Sequence, residues 1–161
     1  MSIRNKISEY VKSNGLNVMD GVFGFIFNEL NHSLNIIKII SFIYVSASFG
    51  IFSLLYHNGL IMTDKMDLTV LIYVVFNIVL TIALITRYLT LKQYSFIVVG
   101  FYNDFEAAMR SRVNLETKQY KAVYILTALI KTLSEEAHTS KFTVFAILVG
   151  HNKRELKTIL R

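Results

Sequence analysis

The chain has 161 residues, one domain's worth, of which 53% are hydrophobic and only 17% charged, with a mean hydropathy of +0.47 and a net charge of +6. That is more apolar than the interior of a soluble domain of this size requires, and it favours a membrane protein. The absence of cysteine excludes a disulfide framework, a thiolate metal site and a cysteine nucleophile, and His32, His57, His138 and His151 are scattered without ligand spacing. No proline interrupts the sequence, so long helices are permitted throughout.

Residues 1–36 read as a cytoplasmic or interfacial helical segment. In VMDGVFGFIFNEL, residues 18–30, Val22, Phe23, Ile26, Phe27 and Leu30 fall along one helical side and Phe25 on the other. The run is too short to span a bilayer and is punctuated by Gly21 and Gly24. It is expected to lie at the membrane interface, or against the cytoplasmic mouth of the spans with Phe23, Ile26, Phe27 and Leu30 as a gate or plug, or to be an ordinary packing helix. No cleavable signal peptide is expected, because the first long apolar run begins some 35 residues in.

Residues 37–92 are expected to form a two-span transmembrane hairpin. No formal charge occurs in residues 39–63 or in 68–86, and the second run alone covers about 28 Å as a helix, close to the hydrocarbon thickness of a bilayer. A helix buried in a soluble bundle would show a polar residue every third or fourth position, whereas LIYVVFNIVL shows one in ten. The connector HNGLIMTDKMD reads as a tight turn, with Asn58-Gly59 and Asp64 as breakers. It carries Lys65 against Asp64 and Asp67, while Lys38, Arg87 and Lys92 flank the opposite ends of the spans. That asymmetry predicts both termini in the cytoplasm.

Two polar stripes run inside the spans. Ser46, Gly50, Ser53 and His57 share one face of the first helix, and Tyr73, Asn77 and Thr81 one face of the second. A buried amide such as Asn77 is costly against lipid, so each stripe should face protein or water. Two readings stay open: helix packing through small and hydrogen-bonding residues, or the lining of a pore in an oligomer, since two helices cannot enclose a channel.

Residues 93–161 are expected to be a cytoplasmic helical domain. Helix formers run on from Arg87 through Arg112, so the second span should continue into the cytoplasm as one helix. Asn114 is a candidate N-cap for LETKQYKAVYILTALIKTLSEEA, in which Tyr120, Val123, Tyr124, Ile130 and Leu133 form an apolar face. FTVFAILVG, residues 142–150, is too short for a third span and reads as core, and HNKRELKTILR as a basic closing helix. Residues 87–161 hold twelve Lys and Arg against six Asp and Glu. Arg87 and Lys92 are explained by topology or lipid headgroups. Arg110, Arg112, Lys118 and Lys121, with Tyr120 and Tyr124 interleaved, form either a phosphate-binding cluster or a solvated face balanced by Asp104, Glu106 and Glu116.

The lead-in, the tight two-span hairpin, the running-on second span and a tail containing YILTALIKTLSEEAHTSKFTVF resemble the SLATT family, two-transmembrane effectors of bacterial nucleotide-signalling systems, over most of the chain. The resemblance implies an all-α membrane protein of the inner membrane that acts as a pore-forming effector of antiphage defence. It implies a homo-oligomer, a tetramer, answering to a nucleotide or oligonucleotide made by a partner nucleotidyltransferase. Ligand binding would bias a closed-to-open equilibrium through differential affinity for the two states. The alternatives are a membrane-anchoring adaptor without conductance and a holin-like phage pore. No enzyme, cofactor or metal is expected: nucleophile-base pairs, metal constellations and glycine-rich phosphate loops are all missing from the sequence.

Overall fold

A computed structural model describes residues 2–59, 68–150, 154, 156 and 157. Among the described residues every regular element is an α-helix, in the order α1 (Ile3–Asn14), α2 (Val18–His57), α3 (Leu68–Arg110), α4 (Leu115–Glu136) and α5 (Lys141–Gly150). They divide into two compact units, Met1–Asn31 with Gln93–Arg161, and His32–Lys92. Most of the hairpin connector, including Asp64, Lys65 and Asp67, and most of the expected basic closing helix lie outside the described residues.

The first unit is built around a conventional apolar core. Helix α1 starts at Ser2, whose Oγ accepts from the Asn5 amide at 3.4 Å, and ends at Gly15, where a φ of 76° suits glycine. Its Ile7 and Val11, one turn apart, are fully buried. The Asn114 cap expected for α4 is present, with Oδ1 accepting from the Thr117 amide at 2.9 Å. Helix α4 packs against α1 and α5, burying Ala122, Val123, Leu126, Leu129, Ile130 and Leu133, while α5 contributes Val144, Ile147 and Leu148. Tyr10 meets Phe145 edge-on at 5.8 Å, and burial raises its phenol pKa.

Helix α4 ends in a Schellman arrangement: the His138 amide donates to Glu135 O at 3.3 Å and the Thr139 amide to Ser134 O at 3.0 Å, with His138 at a φ of +50°. No proline is needed for that stop.

Two helical segments run differently from their sequence reading. The segment 18–30, expected as a separate element, is the first third of the 40-residue α2. Gly21 and Gly24 do not interrupt it, because a helical glycine costs only about 1 kcal/mol relative to alanine and the burial of Val22, Phe23, Ile26 and Leu30 more than offsets that. In α4 the buried stripe passes through Val123, Ile130 and Leu133 but leaves Tyr120 and Tyr124 exposed. The continuation of α3 through Gly100 to Arg110 matches its propensity.

Helices α2 and α3 in the second unit run antiparallel, since Tyr44 meets Asn77 and Thr81 while Ser48 meets Tyr73 and Asn77. Each helix contains a run long and apolar enough to cross a membrane, and almost none of that run is buried within the chain. Phe42 and Phe49 are each 74% exposed, and Phe76 and Val79 about 60%.

Candidate functional site

Inside the hairpin unit the polar residues converge on Asn77. Its Oδ1 accepts from the Tyr44 hydroxyl at 2.7 Å and from Ser48 Oγ at 2.8 Å, and its Nδ2 donates to Tyr73 O at 2.8 Å. Tyr73 in turn donates its hydroxyl to Ser48 O at 2.7 Å, and the Tyr44 hydroxyl lies 3.1 Å from Thr81 Oγ1. The amide that would be costly against hydrocarbon therefore has both its oxygen and its nitrogen bonded within one chain. Tyr73, Asn77 and Thr81, one of the two stripes expected to line a pore, face α2. Tyr44 and Ser48, which complete the network, carry a sequence signal only in retrospect: they repeat the i, i+4 spacing of their partners on the opposite helix.

Ser46, Gly50 and Ser53, the other expected stripe, are exposed along with His57. Position 46 is two residues before Ser48 and position 50 two after it, a rotation of about 200° either way, so this stripe lies on the face of α2 opposite α3. A side chain added at Gly50 would meet nothing within 4 Å in the chain.

The expected gate residues belong to the core of the other unit. Phe23, Ile26 and Leu30 are buried and Phe27 is half-buried. The Phe23 ring lies 5.3 Å from Tyr102 and 5.9 Å from Phe105, and Phe27 lies 5.7 Å from Tyr102. On the same helix Glu29 is 3% exposed, and its Oε2 has no hydrogen bond and lies 3.9 Å from Lys157 Nζ. This buried carboxylate was not singled out by sequence, although an acid in the register of an apolar face is the signal that marks it.

The expected ligand cluster is dispersed into distinct roles. Arg110 pairs with Glu106 one turn back on α3, an exposed pair of small energetic weight. Lys118 donates to Met109 O at 2.6 Å, satisfying a carbonyl at the end of α3. Arg112, Lys121, Tyr120 and Tyr124 remain on the exposed surface.

Two grooves flank Tyr120. One, of about 430 Å³, lies between α1 and α4 and is lined by Arg4, Ser8, Lys12, Glu116, Gln119 and Tyr120. The other, of about 570 Å³, lies between α3 and α4 and is lined by Asp104, Tyr120, Lys121 and Tyr124. Arg4 stacks over the Tyr120 ring at 5.4 Å and donates to its hydroxyl at 3.0 Å. The first groove thus has two cations to one carboxylate, and both cations come from α1, 116 residues from Tyr120 in the case of Arg4. Compared with protein-family models, with curated proteins and with solved structures, the chain matches none.

Proposed function

We propose that the chain is a two-span protein of the bacterial inner membrane, with both termini cytoplasmic, whose copies assemble into a pore controlled by an anionic nucleotide signal. The observation that carries this reading is the outward apolarity of residues 32–57 and 68–92, where phenylalanines and aliphatic side chains face away from the chain while Tyr44, Ser48, Tyr73 and Asn77 bond to one another between the helices. Lipid covers such a surface and leaves the helical backbone bonds intact. Ser46, Gly50 and Ser53 then meet only neighbouring copies or a water-filled path between them, and enclosing that path takes several copies.

In this reading the signal binds where exposed cations and rings coincide, at Arg112, Lys121, Tyr120 and Tyr124, extended by Arg4 and Lys12. The homotetramer and the role in antiphage defence are carried over from the resemblance to SLATT effectors. A membrane-anchoring adaptor without conductance is the second reading, favoured by the closed bonding around Asn77, which behaves as packing.

The test is a depolarisation-sensitive dye in cells expressing the full chain, with and without a panel of cyclic and linear oligonucleotides. Dye entry is expected, abolished by Gly50→Leu, unchanged by Phe49→Leu, and made insensitive to oligonucleotide by Arg112→Glu with Lys121→Glu. Intact membranes under every condition would favour the adaptor.

A further inference from the structure

A groove of about 480 Å³ opens between α2 and α3 within the hairpin unit, lined by Lys38, Ser41, Tyr44, Thr81, Ile85 and Tyr88 among aliphatic neighbours. Its size is that of a small-molecule site. We propose that it seats one anionic phospholipid, an acyl chain lying along the groove and the headgroup phosphate paired with Lys38. The proposal rests on the membrane reading above.

Three observations favour this occupant. First, the groove wall is largely hydrocarbon, and its inner polar groups are already engaged: the Tyr44 hydroxyl lies 2.7 Å from Asn77 Oδ1 and 3.1 Å from Thr81 Oγ1. A polar solute reaching that depth would have to compete for these bonds, whereas an acyl chain leaves them untouched.

Second, the polarity is graded along the groove. Lys38 is exposed at one end, and Tyr44 lies six residues further along α2, about 9 Å down the helix axis. A phospholipid has the same gradient, with charge at one end and hydrocarbon below it. An inorganic phosphate matches only the Lys38 end.

Third, the charge is one-sided. Among the described residues of 32–92 the charged side chains are Lys38, Arg87 and Lys92, and none is acidic. Such a collar attracts an anionic headgroup and discriminates poorly among uncharged ones. Phosphatidylglycerol and phosphatidylcholine with the same acyl chains differ in headgroup charge, so the choice between them reads the charge of this collar, and Lys38→Ala isolates the share that Lys38 supplies.

The experiment uses the full chain reconstituted into vesicles of equal phosphatidylglycerol and phosphatidylcholine, then extracted in mild detergent and weighed intact by native mass spectrometry. Flotation with the vesicles is scored first, and helicity of each variant is checked by circular dichroism. The wild type is expected to float and to retain one phosphatidylglycerol per chain several-fold in preference to phosphatidylcholine. Lys38→Ala should lower the preference several-fold, Lys38→Arg should restore it, and Ser41→Leu, which narrows the groove, should lower retention of both. Equal retention by the wild type, or a preference unchanged by Lys38→Ala, overturns the lipid seat while leaving the membrane reading intact. A helical chain that does not float overturns the membrane reading and the lipid seat together.

Discussion

The two units of this chain sort the same residue types in opposite directions. In residues 1–31 with 93–161, Phe23, Ile26, Leu126 and Leu129 are inside and the cations Arg4, Arg112 and Lys121 outside. In residues 32–92, Tyr44, Ser48, Tyr73 and Asn77 bond to one another between the helices, while Phe42, Phe49 and Phe76 face out. Residues 32–92 are the more apolar unit, and what separates the two most sharply is the direction in which the apolar side chains point: into a core in one, away from the chain in the other.

The contrast breaks most readily at the phenylalanines and leucines. Leu129→Ala, at a fully buried site, is expected to cost about 2–5 kcal/mol of stability, whereas Phe49→Ala in a detergent micelle should change it by less than about 0.5 kcal/mol. Equal losses in denaturant titrations of the two variants would erase the distinction between the units.

The buried acid of the packed unit comes next. Lys157→Met removes the cation beside Glu29 and should cost about 1–3 kcal/mol, because a buried carboxylate is left without compensation. Glu29→Gln combined with Lys157→Met should recover much of that loss, a pattern readable in the same titrations.

Asn77→Leu removes the shared acceptor of Tyr44 and Ser48, at an expected cost of about 0.6–1.7 kcal/mol, the range of hydrogen bonds between membrane helices. A double-mutant cycle with Tyr44→Phe should show coupling between the two positions. Additive losses would mean that the hydroxyl and the amide do not act as a pair.

The smallest effect sharpens the continuity of α2. Gly24 is exposed in the helix, with open space where a Cβ would stand, so Gly24→Ala should stabilise the chain by about 0.4–1 kcal/mol. A loss on the same substitution would mean that the glycine serves as a hinge.

Much of the helical frame was legible because its signals are local. Uncharged runs locate the apolar stretches of α2 and α3, propensity carries α3 through Gly100, and Asn114 marks the start of α4. Helix α1 was harder to see, since its inward face amounts chiefly to Ile7 and Val11 in an otherwise polar segment. The phase of the stripes was legible only as periodicity: helical spacing groups Ser46 with Gly50, and Tyr73 with Asn77, without saying which group meets the partner helix. The pairing of Tyr44 with Asn77 and of Arg4 with Tyr120 joins residues 33 and 116 positions apart, and no local pattern encodes such contacts. Tyr120 and Tyr124 illustrate the same limit, because an aromatic at a helical interval is equally at home in the core and on the rim of a groove.

The chain has no cysteine, so a single introduced thiol reports its own surroundings without background. The most direct test of membrane insertion compares Phe49→Cys, Val79→Cys and Tyr124→Cys, all at exposed positions, for labelling by a charged maleimide in open membrane fragments. If lipid covers the hairpin, Tyr124→Cys labels readily and the other two do so only after detergent is added. Equal labelling of all three without detergent would contradict insertion and return the apolar helices to an aqueous assembly.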